Sequence, residues 1–564
     1  MSDILFCTFY LLLFSAIILK STWFSASGFN NRHFLGAFYL KLFFGIALWY
    51  IYTHIYKNRV TSDIFKYYDD ARMMFGTLHT SAKDYFTLLT GIGDKDIHYQ
   101  TMYHTMNSWD NGYDSTLYNN SHFIIRLNAV MMLLSHEHYG VHVILFCFIS
   151  LVGLTYVYKA FVPFLQYKTK LLFAAIFLFP SVILWSSGIL KEALVWLGLG
   201  LSIYYFFQLV NHVQSSIISR PKRGMQIILI LIGFGILFEA KAYTLLCLLP
   251  CLVAQFLIEK KEFFKKHPVV NYTFTLLLYI GAGTLGHLMF SGKVNPLQMI
   301  ADKQMDFNRT SKGGIYLSNI KYGNMADGNV YALISVADSN KLNPLTKEGD
   351  SLLHNKGLQY LASNPIVYRE WTKNEKIPFL LQRGTHFSKI TVGKKDTIHS
   401  IARDSNIYFS IIDSKSKDKI NLSTPDSSTI YWVYTYIEVA NSRLYIEPIK
   451  PTFTSLFAHI PSALNISMLQ PYPWHLHSAM TAIYCAENIF VLFVIILSLF
   501  FIRRPIQNKD LVLLCFTYSF MMLTLIGLVT PILGGIERYK SVVIPFMFIL
   551  LLLITKNKSQ VKGE

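Results

Sequence analysis

The chain has 564 residues, of which 52% are hydrophobic and only 15% are charged, and its mean hydropathy is +0.36. A soluble domain carries about 25% charged residues, so this composition excludes an ordinary soluble protein and indicates a polytopic membrane protein. The net charge of +18 would suit nucleic acid in a soluble chain, but in a membrane protein Lys and Arg concentrate in cytoplasmic loops. We therefore expect no nucleic-acid partner.

Apolar runs of about 20 residues recur along the chain and predict about eleven transmembrane helices. The predicted spans are roughly 3–20, 35–56, 140–161, 170–185, 189–209, 226–238, 242–259, 269–290, 482–502, 511–531 and 541–555. Two long stretches, 57–139 and 291–480, lack such runs. In the second, TIYWVYTYIEVANSRLYIEP (429–448) has the alternation of a β-strand. The predicted fold class is an α-helical polytopic membrane protein with a smaller α+β extracytoplasmic domain.

Segments rich in Lys and Arg are expected in the cytoplasm, and here they are SRPKRG (219–224), EKKEFFKKH (259–267), IRRPIQNKD (502–510) and the C-terminal tail. Alternation of the spans then places 57–139 and 291–480 outside, provided that FIIRLNAVMMLL (123–134) does not cross. We interpret that short run, which holds Arg126, as an interfacial or re-entrant helix. If it crossed, 57–122 would lie in the cytoplasm. The predicted parts are N-terminal spans (1–56), a first outer loop (57–139), a central bundle (140–290), an outer domain (291–480), and C-terminal spans with a basic tail (481–564).

Three predicted outward turns each place a base near a Glu: Lys191 with Glu192, Lys241 with Glu239, and Arg538 and Lys540 with Glu537. An unpaired charge at the bilayer centre costs about 2.5–3.5 kcal/mol, so such residues are shallow, paired or functional. They either snorkel to the interface or cap a helix, or face a cavity and hold an anionic group. Glu487, inside another predicted span, is a further candidate that could equally pair with a neighbouring helix.

A group of acids follows the second span, in TSDIFKYYDDARMMF (61–75). Asp63, Asp69 and Asp70 are expected at the outer membrane surface, where a carboxylate can act as general base for an acceptor hydroxyl or help to hold a metal. Alternatively, they cap an interfacial helix. Further along, SWDNGYDSTLYNNSHFIIRLN (108–128) adds Asp110 among aromatic residues, a combination common in sugar sites. The cofactor is left open, with a divalent cation as the one candidate.

Three stretches resemble GT-C membrane glycosyltransferases. Asp63, close after a span and followed by YYDDARMMF, resembles the first outer loop of that family. The segment GIERYKSVVIPFMFILLLL (535–553) is similar to the Arg-Tyr-x-x-x-x-x-Pro last span of such enzymes, and FPSVILWSSGILKEALVWLGLGLSIYY (179–205) looks like a segment of bacterial envelope proteins of the same broad kind. Here a span precedes the acidic loop, and Ile64 follows Asp63 where the family has a second acid. Asp69 or Asp70 therefore stays open as the base.

The resemblance implies an inner-membrane glycosyltransferase or polymerase for glycan assembly in the bacterial cell envelope. Its donor would be a sugar linked to polyprenyl phosphate or pyrophosphate, entering from the membrane lipids, with Asp63 activating the acceptor and Arg538 contacting the donor phosphate. Fixed cations stabilise the charge that builds on a leaving phosphate. On that ground we add Lys191, Lys241 and Arg126 as phosphate ligands, with Glu192, Glu537 and Asp110 in support.

Two other classes of function are considered. A transporter or flippase of a lipid-linked or anionic substrate would favour inverted repeats, broken helices and charges at the midplane. The sequence has Glu487 and an interruption at Pro180, but no pair of repeats. An envelope scaffold would use the outer domain, 291–480, to bind glycan or protein, although about eleven spans are more than an anchor needs.

Overall fold

The computed structural model describes residues 2–56, 59, 62–104, 106, 108–109, 119–210, 221–289, 296–312, 442–476 and 478–556, together with nine strands between 314 and 437. By its internal contacts the chain divides into two compact units. The helical unit comprises Met1–Lys57, Phe123–Gln304 and Ile446–Glu564. The polar unit comprises Asn58–His122 and Met305–Tyr445, and thus draws on both stretches that lack predicted spans.

The described α-helices, in chain order, are α1 Ser2–Lys20, α2 Asn31–Tyr50, α3 Asp63–Gly76, α4 Ala82–Thr90, α5 Ile97–His104, α6 Ser121–Ser135, α7 Tyr139–Phe161, α8 Thr169–Phe177, α9 Pro180–Trp185, α10 Lys191–Leu209, α11 Arg223–Lys260, α12 Glu262–Lys266, α13 Pro268–Met289, α14 Pro296–Lys312, α15 Phe453–Ala458, α16 Ile460–Leu469, α17 Ala479–Phe500, α18 Lys509–Val529, α19 Leu533–Lys540 and α20 Ile544–Ile554. A single π-helical turn, Ile51–Ile55, extends α2. The two halves of the predicted span 170–185 are separate short helices, α8 and α9.

Among the described residues, seven helical segments are long and apolar enough to cross a membrane: Asp3–Lys20, Asn31–Ile55, Tyr139–Phe164, Lys191–Leu209, Arg223–Lys260, Ala479–Phe500 and Lys509–Val529. Several of them turn large apolar side chains outward, as α17 does with Phe493, which is 59% exposed. A soluble monomer rarely leaves many large apolar side chains exposed to water together. The chain is an α-helical, multi-pass membrane protein. The count of about eleven spans stays a prediction.

Glycines allow α7 and α10 to pack backbone against backbone. A Cβ on Gly153 would lie 2.3 Å from the Trp196 carbonyl carbon, and one on Gly200 would lie 2.4 Å from the Gly153 oxygen. No real side chain fits into such a gap, so both positions require glycine. Close approach through small residues is a common way to associate helices in a membrane, where lipid competes for every larger apolar side chain.

The turn between α9 and α10 lies inside the helical unit. Cys147, about 12 Å from the start of α7, donates its thiol to the backbone oxygen of Ser187 at 3.3 Å. Ser150 donates to the oxygen of Ser186 at 2.7 Å, and a Cβ on Gly45 of α2 would lie 2.4 Å from the Ser187 oxygen. The turn therefore packs between α2 and α7, about two helical turns from the start of α7.

The C-terminal ends of α7, α10 and α20 lie close together. Phe161 at the end of α7 packs edge-on against Phe207 near the end of α10. Lys168, in the segment after α7, donates to the backbone oxygens of Leu552 and Thr555 at the end of α20. These carbonyls have no partner within their own helix, so the Lys168 ammonium satisfies them. α7, α10 and α20 therefore end on one side of the helical unit, which we name the basic end because Lys168 lies there.

The two spans predicted on either side of residue 240 form one helix, α11, whose backbone breaks at Lys241 (φ −156°, ψ 84°). Each arm is about 27 Å long, close to the hydrocarbon thickness of about 30 Å. The first arm follows α10, with Gly233 against Ser202. In the second arm Gln255 donates to the hydroxyl of Tyr272 at 3.2 Å, and that hydroxyl donates to the first turn of α18. Both arms thus run from Lys241 toward the basic end.

α6 covers the run 123–134, which we predicted not to cross. At 15 residues it is about 22 Å long, shorter than the hydrocarbon core. Its Asn128 and Ser135 both hydrogen-bond to one residue of α7, His142, at 2.8 and 2.7 Å. These bonds join α6 to the first turn of α7, and the location of α6 in the interface stays a prediction.

The polar unit contains α3 to α5 and nine short strands. The strands are β1 Gly314–Ile320, β2 Ile334–Ser335, β3 Leu361–Ser363, β4 Ile366–Arg369, β5 Phe387–Thr391, β6 Thr397–Ile401, β7 Ser410–Ile412, β8 Lys419–Asn421 and β9 Thr429–Ile437. They form a sheet in the order β3-β4-β1-β9-β5-β6, with β2 also on β9, and a separate β7-β8 pair. All the pairings are antiparallel. Strand β9 falls within the stretch that alternates in the sequence.

Candidate functional site

The three charged turns of the sequence converge at one place in the helical unit. Glu192 Oε1 accepts a hydrogen bond from Lys241 Nζ and lies 2.7 Å from Arg538 Nε. The Glu192 side chain is fully buried, and those of Lys241 and Arg538 are 4% and 11% exposed. We name these three residues the inner cluster. Their burial rules out the interpretation in which the Lys191–Glu192 pair snorkels to the surface.

Local structure explains why each member of the inner cluster points inward. Glu192 lies in the first turn of α10, where a carboxylate also meets the positive end of the helix dipole,. Lys241 occupies the break in α11, and its ammonium lies 3.8 Å from the ring centre of Tyr539. Arg538 lies in the last turn of the short helix α19. The aromatic face supplies a cation–π contact to an otherwise costly buried ammonium.

The inner cluster holds more positive than negative charge. One carboxylate faces two cations, and Glu192 Oε2 has no hydrogen-bond partner among the described residues. Lys191, also buried, begins the same helix. In the described part of the helical unit the buried cations are Lys41, Lys191, Lys241, Arg538 and Lys540, against the buried acids Glu192, Glu487 and Glu537. Such an excess of buried cations over buried acids is costly in a low-dielectric interior.

A second ionic group lies next to the inner cluster in sequence. Lys540 Nζ is 2.6 Å from Glu537 Oε1 and also donates to the Asn488 side-chain oxygen. Asn488 donates to the Gln470 backbone oxygen at 2.7 Å and to Glu537 at 3.3 Å. Burial raises the pKa of Glu537, against the opposing effect of the Lys540 ammonium. The group satisfies most of its own hydrogen bonds, and Lys540 is its only cation among the described residues.

A shallow apolar groove leads to that second group. Its walls are eight apolar side chains from α16, α17, α18 and α20, and its polar lining consists of Asn488 and Lys540; the apolar members are Met468, Leu469, Val491, Leu492, Ile495, Leu523, Ile544 and Met547. Leu469 and Leu492 are more than one-third exposed on the outer surface of these helices. The groove therefore joins the lipid-facing surface to a buried ammonium.

The three candidate aspartates lie in the polar unit, on α3, in different environments. Asp63 pairs with Lys66 at 2.7 Å, and both side chains are 24% exposed. Asp69 accepts two hydrogen bonds from Arg59, at 2.6 and 2.8 Å. Asp70 is fully buried and accepts the backbone N–H of Ser108 at 2.6 Å. A general base must be reachable by its substrate, so Asp63 and Asp69 are better placed for that role than Asp70.

The remaining predicted residues are distributed as follows. Arg126 lies half-buried on α6. Glu239 precedes the break in α11, and Lys191 begins α10. Asp110 lies outside the described residues. No group of three or more His, Cys, Asp or Glu side chains in the described part of the chain is placed to hold a metal ion.

The sequence analysis missed two buried polar residues of the helical unit, Lys41 and Asn488. Lys41 of α2 is 1% exposed and donates to the Ser186 hydroxyl at the tip of the buried turn. A lysine in the middle of an apolar run is itself the signal that could have found it. Asn488 was missed because an amide next to Glu487 carries no charge signal of its own, although it connects Lys540 to Glu537.

Comparison with protein-family models, with curated proteins and with solved structures found no match to this chain. The resemblance to GT-C glycosyltransferases therefore stays a prediction. What can be said of function rests on the inner cluster, the groove and the carboxylates of α3.

Proposed function

We propose that the protein is a glycosyltransferase or polymerase of the bacterial inner membrane that uses a sugar linked to polyprenyl phosphate or pyrophosphate to assemble cell-envelope glycan. The observation that carries this proposal is the inner cluster, with two buried cations on one buried carboxylate. A phosphate would balance the surplus charge, and the planar Arg538 guanidinium suits two phosphate oxygens. Arg538, Lys241 and Lys191 are assigned to phosphate binding, with Glu192 orienting them.

The apolar groove supports a lipid-linked substrate. Its aliphatic walls suit a hydrocarbon chain, and its polar members, Asn488 and Lys540, suit an oxygen-rich group. A long apolar chain already in the bilayer would enter such a groove at little cost, because lipid and groove are similarly apolar. A water-soluble sugar nucleotide would make no use of this groove.

In the proposed reaction an acceptor hydroxyl oxygen attacks the anomeric carbon of the donor sugar. The new glycosidic C–O bond forms as the bond to the phosphate oxygen breaks, and the phosphate leaves with the bonding electrons. The cations of the inner cluster stabilise that charge. Asp63 takes the hydroxyl proton as general base, and Asp70 positions the segment at Ser108.

The proposal includes a topology. About eleven spans would place 57–139 and 291–480 outside the cytoplasm, with 291–480 forming a small α+β domain that contributes to acceptor choice. The basic segments at 219–224, 259–267 and 502–510 would face the cytoplasm. In a chain without its six native cysteines, Asp63→Cys and Ser115→Cys should label from outside with an impermeant maleimide. Labelling only after permeabilisation would contradict this topology.

The activity is tested with the full chain in lipid nanodiscs and a synthetic polyprenyl-phosphate hexose as the probe. We expect release of polyprenyl phosphate together with a new glycosidic product. Arg538→Ala and Asp63→Asn should each abolish product, whereas Lys261→Ala, an exposed cation at the far end of α11, should leave it unchanged. Full activity of both site variants would refute the proposal.

A second candidate, a transporter or flippase for an anionic lipid-linked substrate, is favoured by one observation. Broken helices beside buried charges are typical of transporters, and here α11 breaks at Lys241 while a turn enters the bundle between α9 and α10. The same nanodisc assay separates the two. Movement of the labelled lipid between leaflets of a proteoliposome without any new glycosidic bond would favour the transporter.

A further inference from the structure

Three buried acids lie in the described part of the helical unit, and their partners differ. Glu192 faces Lys241 and Arg538, and Glu537 faces Lys540. Glu487 has no cation within ion-pair distance among the described residues, although its residue surface is only 7% exposed. An ionised carboxylate in hydrocarbon without a counter-charge is strongly disfavoured against the neutral acid.

The hydrogen bonds of Glu487 also suit a neutral acid. Its Oε2 accepts the backbone N–H of Ser181 at 3.1 Å, which satisfies one oxygen. Its Oε1 has no partner among the described residues, and the hydroxyl of Ser181, which lies beside the same carboxyl group, has none either. A proton on Oε1 therefore has an acceptor at hand in Ser181 Oγ. An ionised carboxylate could instead accept from the Ser181 hydroxyl, so the preference for the neutral acid comes from burial without a counter-charge within ion-pair distance among the described residues,.

We propose that Glu487 is a proton-binding site within the membrane, occupied at neutral pH. The ligand is a proton rather than a metal ion, because the Ser181 N–H donates to this carboxyl group and the Lys540 ammonium lies nearby, and both would repel a cation. Glu487 lies about 12 Å from the start of α17, inside a span long enough to cross the bilayer. This site is independent of the glycosyltransferase proposal.

The charges around Glu487 determine what happens when its carboxyl group loses the proton. The groups that face it from neighbouring elements are Ser181 of α9 and Glu537 and Lys540 of α19, with Tyr484 one turn away on α17 itself. Loss of the proton would place a second negative charge beside Glu537 and make both acids compete for the one ammonium of Lys540. Since Lys540 lines the apolar groove, the protonation of Glu487 controls how much of that cation is available to an anion in the groove.

The test compares infrared spectra of the full chain in nanodiscs at pH 7. Subtracting Glu487→Gln from the wild type should reveal the C=O band of a protonated carboxyl group, and the band should fade as the pH is raised. Glu192→Gln is the matched control, because its difference spectrum should contain bands of an ionised carboxylate only. Carboxylate bands in the Glu487 difference would overturn the proposal.

Glutamine retains the carbonyl acceptor for Ser181 N–H and the neutral charge, so Glu487→Gln should fold with an unchanged melting temperature. If it fails to fold, the wild type is treated with a hydrophobic carbodiimide, which reacts with protonated carboxyl groups in membranes. Mass spectrometry should find labelling of Glu487 well above that of Glu192, because Lys241 and Arg538 hold Glu192 in its ionised form. Equal labelling, or none at Glu487, would overturn the proposal.

Discussion

Ion pairs in the two units of this protein differ in burial and in balance. In the polar unit Arg59 holds Asp69 one to one, with the Arg59 side chain 56% exposed. In the helical unit a fully buried Glu192 is shared by two cations. Exposed pairs contribute about 0–1 kcal/mol, whereas each buried ion costs several kcal/mol to desolvate. Local folding accounts for the first arrangement, but the second, unbalanced one is expensive for folding and points to an anionic ligand.

The largest effect should follow from removing the shared carboxylate. Glu192→Ala removes the carboxylate that the buried Lys241 and Arg538 share, so we expect a loss of about 3–5 kcal/mol in the free energy of unfolding. Thermal unfolding of the full chain in detergent would measure it. A melting temperature equal to that of the wild type would show that the cations do not depend on Glu192.

Asp70 is the one candidate aspartate with a buried, charge-assisted hydrogen bond. Asp70→Ala leaves the Ser108 N–H without its acceptor, and the expected cost is about 1.5–3 kcal/mol. The same unfolding assay applies, and Asp70→Asn, which keeps an acceptor oxygen, is the matched control. If the two variants were equally destabilised, the charge rather than the hydrogen bond would be the important property.

Removing one of the two cations separates binding from folding. Lys241→Met leaves Glu192 paired with Arg538, so we expect a stability change of about 1 kcal/mol or less, while affinity for polyprenyl phosphate should fall roughly tenfold or more with a lost charge-assisted contact. Native mass spectrometry of the nanodisc-embedded protein with polyprenyl phosphate alone would report the binding. Unchanged affinity would argue that the surplus cation does not serve an anion.

The exposed pair should give the smallest effect. Arg59→Ala removes both hydrogen bonds to Asp69, yet we expect at most about 1 kcal/mol, decreasing further in high salt because water and ions screen this pair. Unfolding at low and high ionic strength checks the expectation. A loss as large as that of Glu192→Ala would remove the contrast between the two units.

The sequence was informative about elements and much less so about their neighbours. Apolar runs located the helices, and the Glu239–Lys241 pair marked the place where α11 breaks, because charged residues in an apolar run signal a turn or a site. Convergence of Glu192, Lys241 and Arg538 could not be read from the chain, since hydropathy carries no information on which helices touch. The burial of Lys191 and Glu192 could not be read from the chain either, since α2 and α7 enclose the turn before them through glycine, cysteine and serine contacts that have no pattern in the sequence.

The buried turn between α9 and α10 also bears on biosynthesis. α8 and α9 are about 13 and 9 Å long, too short for the insertion machinery to accept either one as a span. Their tip carries Ser186 and Ser187, whose backbone oxygens accept hydrogen bonds from Ser150 and Cys147 of α7. The segment can therefore enter the bilayer only after its receptor helices are in place. Because α2 and α7 precede it in the chain, synthesis from the N-terminus delivers those helices first, and a circularly permuted chain that began at α8 should stall at this step.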